Sequence, residues 1–224
     1  NLVLMPSRKR PAKSPAKPIA KKSKTAVGRA ASRAQTRKTS SKSIKTATAS
    51  STDCMKTKKR FEAVTTVKNA KKLHIGIVSA RWNLKVIDAL VAGVKKACLD
   101  AGVTEDNFTH IQVPGSYELP FAAKSLIVNA KQSKRPFDAI VCVGTLIKGD
   151  TMHFEYICDA VSQGITNVGI QTGVPVVFGV LTCLTEEQAL VRAGIAGKRG
   201  NEGHNHGLDW GSTAVEMAGF KFEA

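Results

Sequence analysis

Aromatic residues are scarce in this 224-residue chain: eight Phe, two Tyr and two Trp make up 5% of it. None of them falls in residues 1–60. Acidic residues are nearly missing from the same stretch, where Asp53 stands alone against 18 Lys and Arg. A segment with so little to bury cannot offset the entropy of ordering its backbone. Without aromatic rings it also lacks a platform on which bases stack. Residues 1–60 are therefore expected to be a disordered basic tail, and 61–224 the folded domain. No apolar run approaches the roughly 20 residues of a membrane-spanning helix, so no membrane association is expected. The five cysteines, Cys54, Cys98, Cys142, Cys158 and Cys183, are odd in number and show no CxxC pair. That spacing argues against a disulfide framework or a zinc site, and no metal is expected.

What the chain has in excess is positive charge, +17 overall. The tail carries all of it, because the rest of the chain holds 16 basic and 16 acidic residues. The tail is then the only part suited to nucleic acid, through unspecific, salt-dependent contact. Three readings fit it. The first is a solvated extension with no dedicated role. The second is a nuclear signal or chromatin-like arm, from Arg8-Lys9-Arg10, Lys21-Lys22-Ser23-Lys24 and the Lys/Ala/Pro run at 13–18. The third is an organelle targeting peptide, Ser-rich and acid-poor, although Lys outnumbers Arg here. The expected location is the cytoplasm, with an organelle or nucleus as the alternative directed by residues 1–60.

Within the domain, short apolar runs alternate with helical spacing. Leu73–Ser79, Phe108–Val113, Ala139–Val143 and Val174–Leu181 read as strands. Leu84–Ala101, Glu118–Ala130 and His153–Gly164 read as helices. Another starts at Thr185, a cap with Gln188 three residues on, and runs through Arg192. A final helix begins at Gly211. Strands apolar on both sides imply a parallel sheet covered on both faces. The expected fold is α/β: a three-layer α/β/α sandwich around a four-stranded parallel sheet, with flavodoxin-like topology.

Ligands of such folds bind beyond the carboxyl ends of the strands. The segments there are Ala80–Asn83, Pro114–Tyr117, Gly144–Met152 and the chain after Leu181. Trp82 and Tyr117 offer surfaces for a flat ring. Gly149-Asp150-Thr151 precedes a helix, where free amides attract phosphate, although Asp150 itself would repel it. His153 sits in the first helical turn, whose dipole disfavours imidazolium, and so suits a proton shuttle. His74 and His110 fall in strand patterns and read as structural. His204 and His206 fit a turn or a phosphate contact better than a metal site. Cys142 and Cys158 read as packing residues, since no motif sets a base beside either.

Four blocks, GIVSARWN, PGSYELPF, GTLIKGDTMHFEYI and PVVFGVLTCLTEEQALVRAG, together resemble the lumazine synthase (6,7-dimethyl-8-ribityllumazine synthase) family over about residues 62–220. The resemblance implies a transferase of riboflavin biosynthesis. It would condense 5-amino-6-(D-ribitylamino)uracil with L-3,4-dihydroxy-2-butanone 4-phosphate, releasing phosphate and water. No cofactor is implied. By matching motif, His153 is the general acid/base and Trp82 stacks on the pyrimidine. Ser116, Tyr117 and Glu118 line the pyrimidine and ribityl site, and Thr145, Leu146 and Ile147 continue that wall. Asp150 and Thr151 form the phosphate loop. Phe178 and Arg192 match positions supplied by a neighbouring subunit, with Arg192 on the phosphate, so a homo-oligomer is implied.

The segment Gly197–Gly211, containing HNHGLDWG, is longer than the linker common in the family and resembles the fungal type. In the family that length accompanies free pentamers, so a homopentamer is expected. The competing reading is a riboflavin or lumazine carrier on the same scaffold.

Overall fold

The computed structural model describes residues 67–133, 135–197 and 203–220. The tail readings at 1–60 lie outside these residues. Four strands, β1 (Ile75–Ala80), β2 (Phe108–Val113), β3 (Ala139–Ile147) and β4 (Val176–Cys183), alternate with helices. The helices are α1 (Leu84–Asp100), α2 (Leu119–Gln132), α3 (His153–Thr172), α4 (Glu186–Arg192) and α5 (His206–Gly219). All strand pairs are parallel, in the order β2-β1-β3-β4. This is the expected flavodoxin-like arrangement.

The period-2 geometry of strands splits the core in two. Ile75 and Ile77 of β1, with Ala139, Val141 and Val143 of β3, face α1, α4 and α5. Val78, Ile140 and Cys142 face α2 and α3. β1 is buried along its whole length, as a central parallel strand covered on both sides should be.

Several element ends differ from the sequence reading. β3 runs four residues past Val143, because β4 supplies a ladder from Gly144↔Val180 to Ile147↔Cys183. α3 continues past Gly164 to Thr172. A Cβ at Gly164 would sit 2.7 Å from Pro120 Cγ, so this glycine lets α2 and α3 approach closely. α5 begins at His206, five residues before Gly211. Asn205 caps it, accepting the Gly207 amide at 2.8 Å and donating to Ala89 O. The Thr185 cap forms, with Oγ1 accepting the Gln188 amide. Gln188 Oε1 returns to Leu184 N rather than to the cap residue's own amide.

His74 is buried and strapped in place. Its amide donates to Asp138, its ring bonds Pro136 O and Thr109 Oγ1, and it stacks on Phe137 at 4.1 Å. His110 Nε2 bonds the fully buried Ser79 Oγ at 2.8 Å. Burial holds His110 below the usual imidazole range, with Lys95 adding to that and Asp88 opposing. Both histidines join strands and loops to one another.

Candidate active site

At the carboxyl ends of β1, β2 and β3 the connecting segments enclose a cleft of about 770 Å³. The β1–α1 turn contributes Trp82 and Asn83. Asn83 adopts a left-handed backbone, φ 61°, which asparagine tolerates better than most residues. Its carbonyl accepts the Val86 and Ile87 amides and so starts α1. Its side chain donates to Thr145 O (3.4 Å) and ties this turn to β3.

After β2 the chain makes a short 3-10 turn over Ser116–Glu118. The Gly115 amide donates to Glu118 Oε2 (2.9 Å), which fixes that carboxylate at the cleft wall. Ser116, Tyr117 and Glu118 all line the cleft, as do Thr145, Leu146 and Ile147 from the end of β3. Trp82 and Tyr117 are 72% and 61% exposed, so their rings are open to a ligand. Ser116 and Thr145 are the opposite case, at 5% and 2%. Among the described residues, the Oγ of Ser116 and the Oγ1 of Thr145 are buried without a hydrogen-bond partner. Such atoms carry a desolvation cost that an incoming polar group relieves.

α3 supplies the remaining wall. His153 lines the cleft from its first turn. Its amide donates to Thr151 Oγ1 at 3.4 Å, and its imidazole has no hydrogen-bond partner among the described residues. The cap residue Met152 makes no side-chain hydrogen bond to this helix, so the Thr151 contact is what engages its start, beside Gly149. Phe154 and Ile157 give the wall its apolar part.

Asp150, Phe178 and Arg192 do not line this cleft. Asp150 is exposed on the loop before α3. Phe178 stands on β4 opposite Cys142. Arg192 ends α4, where Nη1 donates to Gln188 O (3.2 Å). Near it, His204 Nε2 bonds Asp209 Oδ2 at 2.8 Å, and His206 Nδ1 lies 3.8 Å from the same oxygen. Burial lowers the His206 pKa first, His204 and Arg192 add to that, and Asp209 opposes. No group of three or more His, Cys, Asp or Glu able to hold a metal occurs among the described residues. Cys142 is buried and its thiol is pushed up to about 12, so it stays protonated at neutral pH and makes a poor nucleophile.

Gly149 of the expected phosphate loop lines the cleft, and so do Asn83, Gly115, Phe154 and Ile157, to which the sequence assigns no role. For Asn83 a signal existed, since an asparagine between a strand-end aromatic and a helix start suits a left-handed turn. Gly115, Phe154 and Ile157 carry no such mark.

The family model for 6,7-dimethyl-8-ribityllumazine synthase matches residues 72–221. A protein of that name from Schizosaccharomyces pombe is 49% identical over 147 residues, covering 65% of this chain and 86% of its own length. One from Pyricularia oryzae is 45% identical over 177 residues, with the same coverage. One from Streptomyces avermitilis is 48% identical over 138 residues, covering 62% of this chain and 81% of its own.

Proposed function

The chain belongs to the 6,7-dimethyl-8-ribityllumazine synthase family, and from that premise we propose how its cleft carries out the condensation in riboflavin biosynthesis. The substrates are 5-amino-6-(D-ribitylamino)uracil and L-3,4-dihydroxy-2-butanone 4-phosphate. The amine attacks the ketone to give an imine with loss of water, phosphate is eliminated, and the ring closes with loss of a second water. The chemistry needs proton transfers and two substrates held in register.

The observation that carries this reading is a convergence in one cleft. Two open aromatic rings, two buried hydroxyls without partners and an unengaged imidazole all line it. Trp82 stacks on the pyrimidine, with Tyr117 beside it. Ser116 and Thr145 bond the pyrimidine and ribityl edges, with Glu118 and the Leu146–Ile147 wall completing the pocket. His153 moves protons at the amine and at the carbon next to the one that loses phosphate. The phosphate lies at the start of α3, against the Asp150–Thr151 loop and its amides.

Arg192 and Phe178 fall outside the cleft of their own chain, and we assign them to the cleft of a neighbouring subunit. The exposed Phe121, Tyr156 and Ile170 are apolar area that an assembly would cover. With the long segment after α4, this supports a homopentamer. Residues 1–60 then give each subunit a basic segment of 18 Lys and Arg against one Asp. We assign the enzyme to the cytoplasm unless that segment redirects it.

Mixing the two substrates should produce lumazine fluorescence, and His153→Ala should lower kcat by roughly 100-fold or more. Unchanged turnover in that variant would remove His153 from its role. Tight riboflavin binding with no product would favour the carrier reading.

A further inference from the structure

One ion pair crosses the loop between β3 and α3. Lys148 directly follows β3, and its backbone amide donates to Cys183 O at the end of β4 (2.9 Å). Its ammonium reaches over Gly149–Met152 to Glu155 Oε1, in the first turn of α3, at 2.6 Å. The four residues spanned are exposed. A Cβ added at Gly149 would meet nothing within 4 Å. The loop is therefore held from its two ends, and the pair joins those ends directly.

The chemistry of Glu155 commits Lys148 to this contact. Glu155 Oε2 is buried and has no hydrogen-bond partner among the described residues. The Lys148 hydrogen bond, first among the causes, keeps the carboxylate below the usual carboxylate range. A backbone hydrogen bond adds to this, and both outweigh the opposing effect of desolvation. Both side chains are partly exposed, however, at 46% and 33%. A pair of that exposure adds little to overall stability. Its effect is geometric: it sets where Gly149–Thr151 and His153 stand relative to the cleft.

We propose that Lys148 and Glu155 form a clasp that positions the phosphate loop and His153, and that Lys148 is a positioning residue rather than a ligand of the phosphate. The clasp rests on the reading of this cleft as the synthase site.

The test compares the full-length chain with Lys148→Met, Glu155→Gln, the double variant and the swapped pair Lys148→Glu/Glu155→Lys. Each single change should raise KM for the butanone phosphate and lower kcat, together about tenfold in kcat/KM. KM for the pyrimidine and Tm should stay near their wild-type values. The double variant should be no worse than either single one, and the swapped pair should recover part of the activity. Amide exchange over residues 149–156 should speed up equally in both single variants and the double.

Three outcomes overturn the clasp. In the first, Lys148→Met raises KM for the phosphate substrate while Glu155→Gln leaves it unchanged or lowers it, which makes Lys148 a direct ligand. In the second, the two losses multiply in the double variant. In the third, neither single change alters kinetics or exchange. A wild-type chain that makes no lumazine would instead sink the functional reading, and the exchange comparison would still decide whether the clasp exists.

Discussion

A buried hydroxyl without a partner lowers stability until something binds it. Ser116 Oγ and Thr145 Oγ1 are in that state, and Gly144 makes room for one of them, since a Cβ there would lie 2.6 Å from Ser116 Oγ. Replacing Ser116 with Ala, or Thr145 with Val, should therefore leave the unliganded protein as stable or raise its stability by up to about 1–3 kcal/mol. The same changes should raise KM for the pyrimidine substrate. Urea unfolding beside steady-state kinetics checks both halves, and a loss of stability in both variants would contradict the unpartnered state. At this scale the sequence was informative wherever a residue was out of place for a plain connection. Trp82, Tyr117 and His153 are large or titratable groups in strand-to-helix turns, and they do line the cleft. Asn83 carries no such signal of a role, because its importance lies in a backbone angle. Ser116 and Thr145 were marked by motif alone. Their lack of partners depends on packing that no local pattern records.

At the scale of elements, α1 and α5 meet through glycine. A Cβ at Gly211 would lie 2.5 Å from Val94 O and 2.9 Å from Ala97 Cβ. Gly207 stands in the same relation to Leu90 O. Helix propensity alone favours Gly211→Ala by up to about 1 kcal/mol. Steric crowding of a packed contact costs about 1–3 kcal/mol, so the second effect should win. Gly211→Ala is expected to lower unfolding free energy in chemical denaturation, and an increase would show that α5 can move away from α1 without loss. This competition also explains where the sequence reading stopped short. Gly164 and Gly211 look like punctuation, so α3 was ended early and α5 started late. Tertiary packing gives both glycines a place inside a helix. The strands were legible for the converse reason, since β-branched runs covered on both faces leave little else for the chain to form. The far ends of β3 and β4, from Gly144 to Ile147 and at Thr182 and Cys183, take their strand form from the ladder they build with each other.

At the scale of the whole molecule, the α/β layering follows from alternation alone, whereas the role of Arg192 depends on the assembly proposed above. His153 lines the cleft while Arg192, on α4, does not. If each cleft takes its arginine from a neighbour, two inactive variants should complement one another. Mixing equal amounts of His153→Ala and Arg192→Ala subunits, unfolded and refolded together, should give roughly a quarter of wild-type activity, because each cleft draws its two subunits at random around a closed ring. The product should sediment as about five subunits. A mixture as inactive as its components would place both residues in one chain's site.

The pairing of α1 with α5 has one more consequence, which concerns synthesis rather than catalysis. Val86, Ile87, Leu90, Val91 and Val94 share a core cluster with Ala214 and Val215, and Cys98 reaches Gly211 O across 113 positions of sequence. A ribosome adding about 5–20 residues per second leaves α1 waiting on the order of ten seconds for its cover. Throughout that interval the nascent chain carries an open apolar face, and this is the stage at which a chaperone has most to protect.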